Sequence, residues 1–226
     1  MVNKSTTRTR GSSSYQVIPP MVVTLFAHLL FIAITILVLV WLLHFREGLA
    51  FSSSNKPKIF NIHPLLMVIG FVLMSGEAIM AYTTTPTSRK NHKLFHMFLH
   101  LIALVAGIIG VIAVFKYHDE SGIPHVYTFH SWIGLSTIIL FGLQWILSFL
   151  TFLFPRARTS TRSRVAPWHA LIGITIFFMA IVTAETGVVQ KFIFLSLRRN
   201  QEGLIVNFIG LLILLFGISV GLTVLV

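Results

Sequence analysis

The sequence predicts an all-α integral membrane protein with six transmembrane helices. The 226 residues are 55% hydrophobic and only 10% charged, which is typical of multi-spanning membrane proteins. Helices are expected because backbone polar groups in lipid must form hydrogen bonds within the protein. Six apolar runs can each cross a hydrocarbon core as a helix of roughly 20 residues, and they lie near residues 21–45, 62–83, 94–117, 127–152, 168–190 and 204–226.

The runs form one transmembrane domain, residues 21–226, preceded by a tail at residues 1–20. The tail is rich in Ser, Thr and Arg without apolar periodicity, which predicts a disordered basic segment. Since the chain has no cysteine, disulfides, thiolate ligands, iron–sulfur clusters and covalent c-type haem attachment are excluded.

The distribution of Lys and Arg predicts the orientation of the chain in the membrane. Cytoplasmic segments carry an excess of these residues. The tail and the loops after the second and fourth runs carry ten cations and no acid, whereas the opposite loops carry seven cations and four acids. The first group is therefore predicted to be cytoplasmic, with both termini inside. Because this topology accounts for the formal charge of +11, we expect no nucleic-acid partner.

Four histidines lie about one turn inside the start of four consecutive apolar runs: His63, His96, His130 and His169. If the four helices are antiparallel neighbours, His63 and His130 share one membrane face, and His96 and His169 share the other. Two layers of paired imidazoles predict two metal-centred cofactors. The two pairs have similar separations along the sequence, which indicates that helices 2–3 and 4–5 repeat one plan. Helices 1 and 6 are expected to flank this central four-helix bundle.

Haem iron suits these pairs, since two imidazoles from opposing helices give a six-coordinate iron without a vacant site. Zinc is the competing metal, but a structural zinc site needs four clustered ligands. Helix 3 offers a choice between His96 and His100, and His96 matches the shallow depth of His169. Gly134 and Gly173 each lie one turn after a histidine; they leave space for a macrocycle or only permit close helix packing.

With this pattern the sequence resembles the cytochrome b561 family, and within it the plant-type members. The resemblance covers most of the chain from Met21 onward. It is carried by one histidine in each of helices 2 to 5 at similar intervals, the KLFHMFLH string, the Tyr117–His118 pair and the HSWIG string at His130. It implies six helices with two non-covalent b-type haems, one held by His63 and His130 on the non-cytoplasmic side and the other by His96 and His169 on the cytoplasmic side.

The resemblance also implies a function: a transmembrane oxidoreductase that takes electrons from cytoplasmic ascorbate. Monodehydroascorbate is the implied acceptor, and ferric chelates are the alternative. Family members are often homodimers in vesicle, vacuolar or plasma membranes. The competing hypothesis from another class is a proton or metal transporter, for which broken helices and polar residues near the membrane midplane are expected.

Ascorbate is an anion, so its site needs cations near the cytoplasmic haem. Lys93, one turn before His96, is the best candidate for a catalytic role, and the other candidates for substrate binding are Arg89, Lys90 and Arg162. Each of these cations is explained equally well by the positive-inside rule alone, without a role in substrate binding.

At the opposite mouth, between helices 3 and 4, His118 is predicted to hydrogen-bond or exchange a proton with the acceptor. Tyr127 lies beside it as a substrate-binding candidate, in a cluster with Tyr117 and His125. The tyrosines suit an aromatic belt at the lipid headgroups equally well.

Overall fold

The computed structural model describes residues 20–84 and 88–225, and within these ranges the chain forms helices without strands. Six helices are long and apolar enough to cross a membrane, which confirms the predicted fold class. We label them α1 (Met21–Phe45), α2 (Pro57–Thr83), α3 (Arg89–Ser121), α4 (Phe129–Phe152), α5 (Thr159–Phe194) and α6 (Gln201–Leu225). The predicted tail lies outside the described residues except for Pro20, where the first helix begins.

Four helices, α2, α3, α5 and α6, are longer than their apolar runs. The largest difference is in α5, which begins at Thr159 instead of residue 168 and contains Pro167 in its interior. The prediction was wrong there because hydrophobicity marks only the part in hydrocarbon, whereas helical hydrogen bonding continues into the polar boundary.

Both ends of α3 are marked by capping residues. The Ser88 side chain accepts a hydrogen bond from Asn91 N at the start, and Gly122 ends the helix with a φ of +64°.

The histidine-bearing helices form a closed ring. Helix α2 packs against α3, α3 against α4, α4 against α5, and α5 against the central part of α2. Helix α6 packs against α1 and α5, and the second half of α2 also contacts both α1 and α6. The four histidines therefore lie on the inner ring, and α1 and α6 flank it on one side as expected.

The centre of α2 is wound more widely than an α-helix. Residues Leu66–Leu73 form a π-helical segment that begins three residues after His63. Three consecutive residues of this segment, Phe71, Val72 and Leu73, are all buried in the core. The wider turn brings neighbouring positions of α2 toward the other helices at the level between the two histidine layers.

A buried carboxylate ties α1 to α6 at the membrane face that holds His63. Glu202, only 9% exposed, accepts hydrogen bonds from Trp41 Nε1 at 2.9 Å and Arg46 Nε at 2.5 Å. The second guanidinium nitrogen of Arg46 pairs with the other carboxylate oxygen. The Arg46 carbonyl in turn accepts from Asn61 Nδ2 at 2.8 Å, which connects this network to the start of α2.

We expect Glu202→Gln to lower the stability of the protein substantially. The substitution leaves the half-buried Arg46 guanidinium without its counter-ion, and breaking such a pair costs on the order of 3 kcal/mol. The measurement is the midpoint of thermal unfolding in detergent. Glu120→Gln is the matched control, because it removes an exposed pairing with Lys56 and Lys116 and should shift the midpoint far less. Equal shifts in the two variants would contradict a structural role for Glu202.

Candidate functional site

The four histidines lie as two facing pairs. The ring centres of His63 and His130 are 6.1 Å apart, with an angle of 87° between the ring planes. Those of His96 and His169 are 6.0 Å apart, with an angle of 74°. These are the combinations that equal depth on antiparallel helices predicts, although His130 is the second residue of its helix and His169 the eleventh.

Three of the rings are held by backbone carbonyls through Nδ1. His63 donates to Gly110 O at 3.1 Å, His96 to Ala78 O at 2.8 Å, and His130 to Thr183 O at 3.0 Å. A carbonyl can only accept, so the proton of each neutral ring is assigned to Nδ1, and Nε2 keeps its lone pair. Metal-binding histidines usually donate their other ring nitrogen in this way.

His169 is held by side chains instead. Its Nδ1 lies 2.9 Å from Ser148 Oγ, a hydroxyl that can donate or accept. Gln144 Nε2 lies 2.9 Å from the same nitrogen and donates to the His169 carbonyl at 2.9 Å. Both partners are on α4, one turn apart, so the fourth ring is also fixed through Nδ1.

Each hairpin holds its own two rings in a crossed arrangement. His63 of α2 bonds to α3 at Gly110, well beyond His96 on that helix, while His96 bonds back to α2 at Ala78. In the second hairpin His130 bonds to α5 at Thr183, which lies equally far beyond His169. Each carbonyl is about four turns from the histidine of its own helix, so the two layers are separated by roughly 21 Å along the helix axis. The two hairpins, α2–α3 and α4–α5, therefore share a hydrogen-bonding pattern as well as the histidine spacing from which their repeat was predicted.

The ring separations fit a metal held between two imidazoles. Two metal–nitrogen bonds of about 2.0 Å each, plus two ring radii, separate opposing ring centres by roughly 6 Å. Within the part of the chain that the structure describes, no group of three or more His, Asp or Glu side chains could hold a metal ion. The donor set is therefore two imidazoles per layer, which suits a haem iron and does not suit a structural zinc.

A cavity of about 590 Å³ lies beside His96 and His169. Its volume is within the usual range for small-molecule and cofactor sites. Its wall is largely apolar, and aromatic side chains contribute much of it: Phe141, Trp145, Phe149, Phe152 and Phe177. Gly173 also lines the cavity, as the first of the two roles considered for it requires. The cavity has the lining that a flat apolar ring system needs.

Gly134 does not have the same role as Gly173. A β-carbon at Gly134 would lie 3.1 Å from Thr183 Cγ2, so this glycine permits close packing of α4 on α5. The closest approach to a histidine is at Gly187, which the sequence analysis did not single out. A β-carbon there would lie 2.7 Å from Cε1 and 3.1 Å from Nδ1 of His130. Only glycine at this position leaves the His130 ring where it is.

His100 lies in the same cavity as His96. Their ring centres are 4.5 Å apart, and the buried Nδ1 of His100 has no hydrogen-bond partner. The ring that faces His169 at 6.0 Å is nevertheless that of His96. His100 is therefore positioned at the side of the pair, one turn deeper.

Two of the predicted donor-site cations border the mouth of this cavity. Lys93 and Arg162 both line it. Arg162 donates from one terminal nitrogen to Thr159 Oγ1 at 3.0 Å, while its buried Nε has no partner. The remaining candidates lie further out: Arg89 lines an adjoining pocket, and Lys90 is exposed.

Tyr82 connects the cavity with this adjoining pocket. It lines both, together with Lys93. Its ring centre lies 5.5 Å from that of His96 and 5.3 Å from that of His92. The sequence analysis missed Tyr82, although a lone tyrosine at the end of an apolar run, on the side rich in cations, was a usable signal.

At the opposite face, aromatic rings extend from His63 to His118. Phe60 lies 5.9 Å from His63 and 5.2 Å from Tyr117, and Tyr117 lies 5.9 Å from His118. His118 has a buried Nδ1 without a partner and is stacked on His125 at 5.6 Å. Tyr127, 6.4 Å from His118, is 53% exposed.

Two acids inside the membrane-spanning helices lie apart from the histidine pairs. Glu77 of α2 pairs with His28 of α1 at 2.9 Å, which joins these two helices. Glu185 of α5 has a buried oxygen without a partner and faces Gly210 of α6. Neither acid is placed to bind a metal with the four histidines.

The chain resembles known proteins over most of its length. The model of the family described as eukaryotic cytochrome b561 matches residues 62–195, which include all four histidines. A probable ascorbate-specific transmembrane electron transporter of Oryza sativa subsp. japonica is 48% identical over 202 residues, covering 87% of this chain and 86% of that protein. The transmembrane ascorbate ferrireductase 1 of Arabidopsis thaliana is 44% identical over 207 residues, covering 90% and 87% of the two chains. With six membrane-spanning helices and this degree of similarity to plant proteins, the chain belongs to the eukaryotic cytochrome b561 family.

Proposed function

We propose that the chain transfers electrons across a membrane, from cytoplasmic ascorbate through two bis-histidine b-type haems to monodehydroascorbate on the opposite side. The observation that carries this proposal is the presence of two imidazole pairs with ring centres 6.1 and 6.0 Å apart, one per membrane face, with the Nδ1 atoms engaged in hydrogen bonds. The names of related plant proteins, which specify ascorbate and transmembrane electron transport, support it.

His63 and His130 would hold the non-cytoplasmic haem, and His96 and His169 the cytoplasmic one. When bound, a six-coordinate haem iron exchanges single electrons and offers no vacant position to oxygen. The partners of Nδ1 fix each ring in its orientation, and the carbonyl partners of His63, His96 and His130 also raise the basicity of Nε2. The rigid bundle therefore sets the ligand geometry and the separation of the two sites before any cofactor binds.

Lys93 and Arg162 would bind ascorbate at the mouth of the 590 Å³ cavity. Both cations line the cavity that contains His96 and His169, so an anion bound between them would lie close to this histidine pair. The guanidinium of Arg162, which uses one terminal nitrogen to bind Thr159, supplies a charge-assisted hydrogen bond. Tyr82 would position the same substrate against His96 through its exposed ring. Arg89 and Lys90 would act at longer range by attracting the anion.

His118 would receive the acceptor on the other side. Its imidazole can donate to or accept from a substrate oxygen, and the Phe60 and Tyr117 rings fill the space between it and His63. Tyr127 would border this site. Ferric chelates are the second candidate acceptor, and the name of the Arabidopsis relative, a ferrireductase, favours them specifically.

A proton or metal transporter is disfavoured by the arrangement of the helices. Long unwound segments near the midplane, expected for such a transporter, are not present in the described part of the chain. Helix α2 departs from α-helical geometry there only at one turn residue, Asn61, and in its π-helical segment. The predicted positive-inside orientation supplies the proposed sidedness, with both termini cytoplasmic. Homodimer formation and residence in a vacuolar, vesicle or plasma membrane stay predictions from the family resemblance.

Reconstituted vesicles test this function directly. Ascorbate is enclosed on the side of Lys93, and either monodehydroascorbate or a ferric chelate is supplied on the side of His118. We expect reduction of the external acceptor at a rate that depends on the protein and on enclosed ascorbate. The relative rates with the two acceptors separate the two versions of the proposal. The proposal would be contradicted if ascorbate reduced the haems from neither face of the vesicle membrane.

We expect Arg162→Gln to raise the KM for ascorbate about 10-fold or more. The substitution removes one charge-assisted hydrogen bond, a loss on the order of 1.5 kcal/mol or more. The rate of haem reduction by ascorbate is measured against substrate concentration, and reduction by dithionite should be unchanged. Arg164→Gln is the matched control, because it removes the same charge from the same helix at an exposed position. Equal KM values in the two variants would exclude Arg162 from the donor site.

A further inference from the structure

Lys191 is a cation that the proposed electron-transfer path leaves unused. It lies in the last turn of α5, and its Nζ is 3.7 Å from the centre of the Phe60 ring. This is a close cation–π contact, which orients the ammonium on one side of the ring. Phe60 comes one turn before His63, and the two ring centres are 5.9 Å apart. The ammonium and the His63 ring are therefore neighbours of the same aromatic ring.

The ammonium of Lys191 has no carboxylate partner among the residues that the structure describes. Glu202 is the acid at this end of the bundle that lies next to α5, but both of its oxygens are taken by Arg46 and Trp41. Lys191 itself is only partly exposed. A partly desolvated ammonium on an aromatic face is incompletely compensated, so this position is suited to an incoming carboxylate.

We propose that Lys191 binds a carboxylate group of the haem held between His63 and His130. The inference rests on the proposed function, since it requires a haem at this pair. A b-type haem carries two carboxylates at one edge of its macrocycle, and each is best placed where the protein supplies a cation near the membrane boundary. Lys191 supplies that cation on the side of His63. Its positive charge also stabilises the reduced iron relative to the oxidised iron, because reduction lowers the charge of the metal centre.

Lys191→Met is the central test, since methionine keeps an apolar chain against Phe60 and removes the charge. We expect one of the two haem midpoint potentials to fall, by up to a tenfold change in the one-electron equilibrium constant, which is about 59 mV. The same haem should be lost faster on dilution in detergent. Lys191→Arg keeps the positive charge, so the midpoint potential and the rate of haem loss should both stay at their wild-type values. Arg199→Gln, an exposed residue of the α5–α6 connection with the same loss of charge, should leave both potentials unchanged.

The affected haem is identified by combining Lys191→Met with a ligand variant. In a His169→Ala background, which keeps the His63–His130 pair, the fall in potential should persist. In a His130→Ala background, the remaining haem should show no fall.

Two results would overturn the inference. One is that Lys191→Met leaves both potentials and the rate of haem loss unchanged. The other is that it raises only the KM for an anionic acceptor, in which case the carboxylate recognised by Lys191 belongs to the acceptor. Neither result touches the proposed function, which would fail separately if the wild-type protein held no haem.

Discussion

Substitution of His169 by alanine is expected to remove one of two haems and to leave the other in place. His169 faces His96 at 6.0 Å and lies roughly 21 Å along the helix from the level of His130. A haem held by His96 and His169 would keep only one imidazole in this variant, whereas the pair in the other layer would be unchanged. His130→Ala should remove the other haem for the same reason.

The variants of one layer should be non-additive. On the proposed ligand assignment His96→Ala and His169→Ala remove ligands of the same iron, so the double variant should lose no more haem than either single one. His100→Ala is the discriminating control, because His100 borders the same cavity but does not face His169 directly. It should keep both haems. Absorption spectra of the reduced proteins, normalised to protein content, measure the effect. Retention of both haems in His169→Ala would refute the ligand assignment.

Gly187→Ala is expected to impair the His63–His130 layer while the other layer stays intact. The added β-carbon would lie 2.7 Å from Cε1 of His130, closer than real β-carbon contacts permit. The ring must therefore move away from its hydrogen bond to Thr183 O and from its position opposite His63. Because ligand geometry tolerates errors of only about 0.5 Å, we expect loss of most of the haem at this layer.

Gly142→Ala provides the matched control for this substitution. A β-carbon at Gly142 would lie 3.7 Å from Leu104 Cδ1, an ordinary van der Waals contact. The two variants make the same chemical change in neighbouring helices of the bundle. Haem content close to one per chain in Gly187→Ala and two per chain in Gly142→Ala is the expected result. Equal contents would show that the contact with Gly187 does not constrain His130.

The pairing of the histidines was predictable because two simple rules determine it. Antiparallel neighbouring helices alternate in direction, and an apolar run marks where each helix enters the hydrocarbon. Residues at equal depth in alternate runs, such as His63 and His130, therefore meet at one face. The starts of the helices were less predictable, because a helix such as α5 continues through polar residues that carry no hydrophobic signal.

The partners of Nδ1 were predictable only in part. Gly110, Ala78 and Thr183 contribute backbone carbonyls, which every residue possesses, so their side chains carry no record of that contact. Gln144 and Ser148 are different, since two polar residues one turn apart in an apolar helix indicate a shared polar neighbour. Lys191 gave no signal of its contact with Phe60, because the two residues are far apart in the sequence and meet only through the packing of α5 on α2.

Haem content per chain tests the central claim most directly. The protein is purified after expression with ample haem, and its non-covalently bound haem is extracted and quantified against protein concentration. The two imidazole pairs predict two b-type haems per chain, both six-coordinate and low-spin in the absorption spectrum. A colourless protein, a single haem per chain, or a haem with an open coordination position would contradict the account.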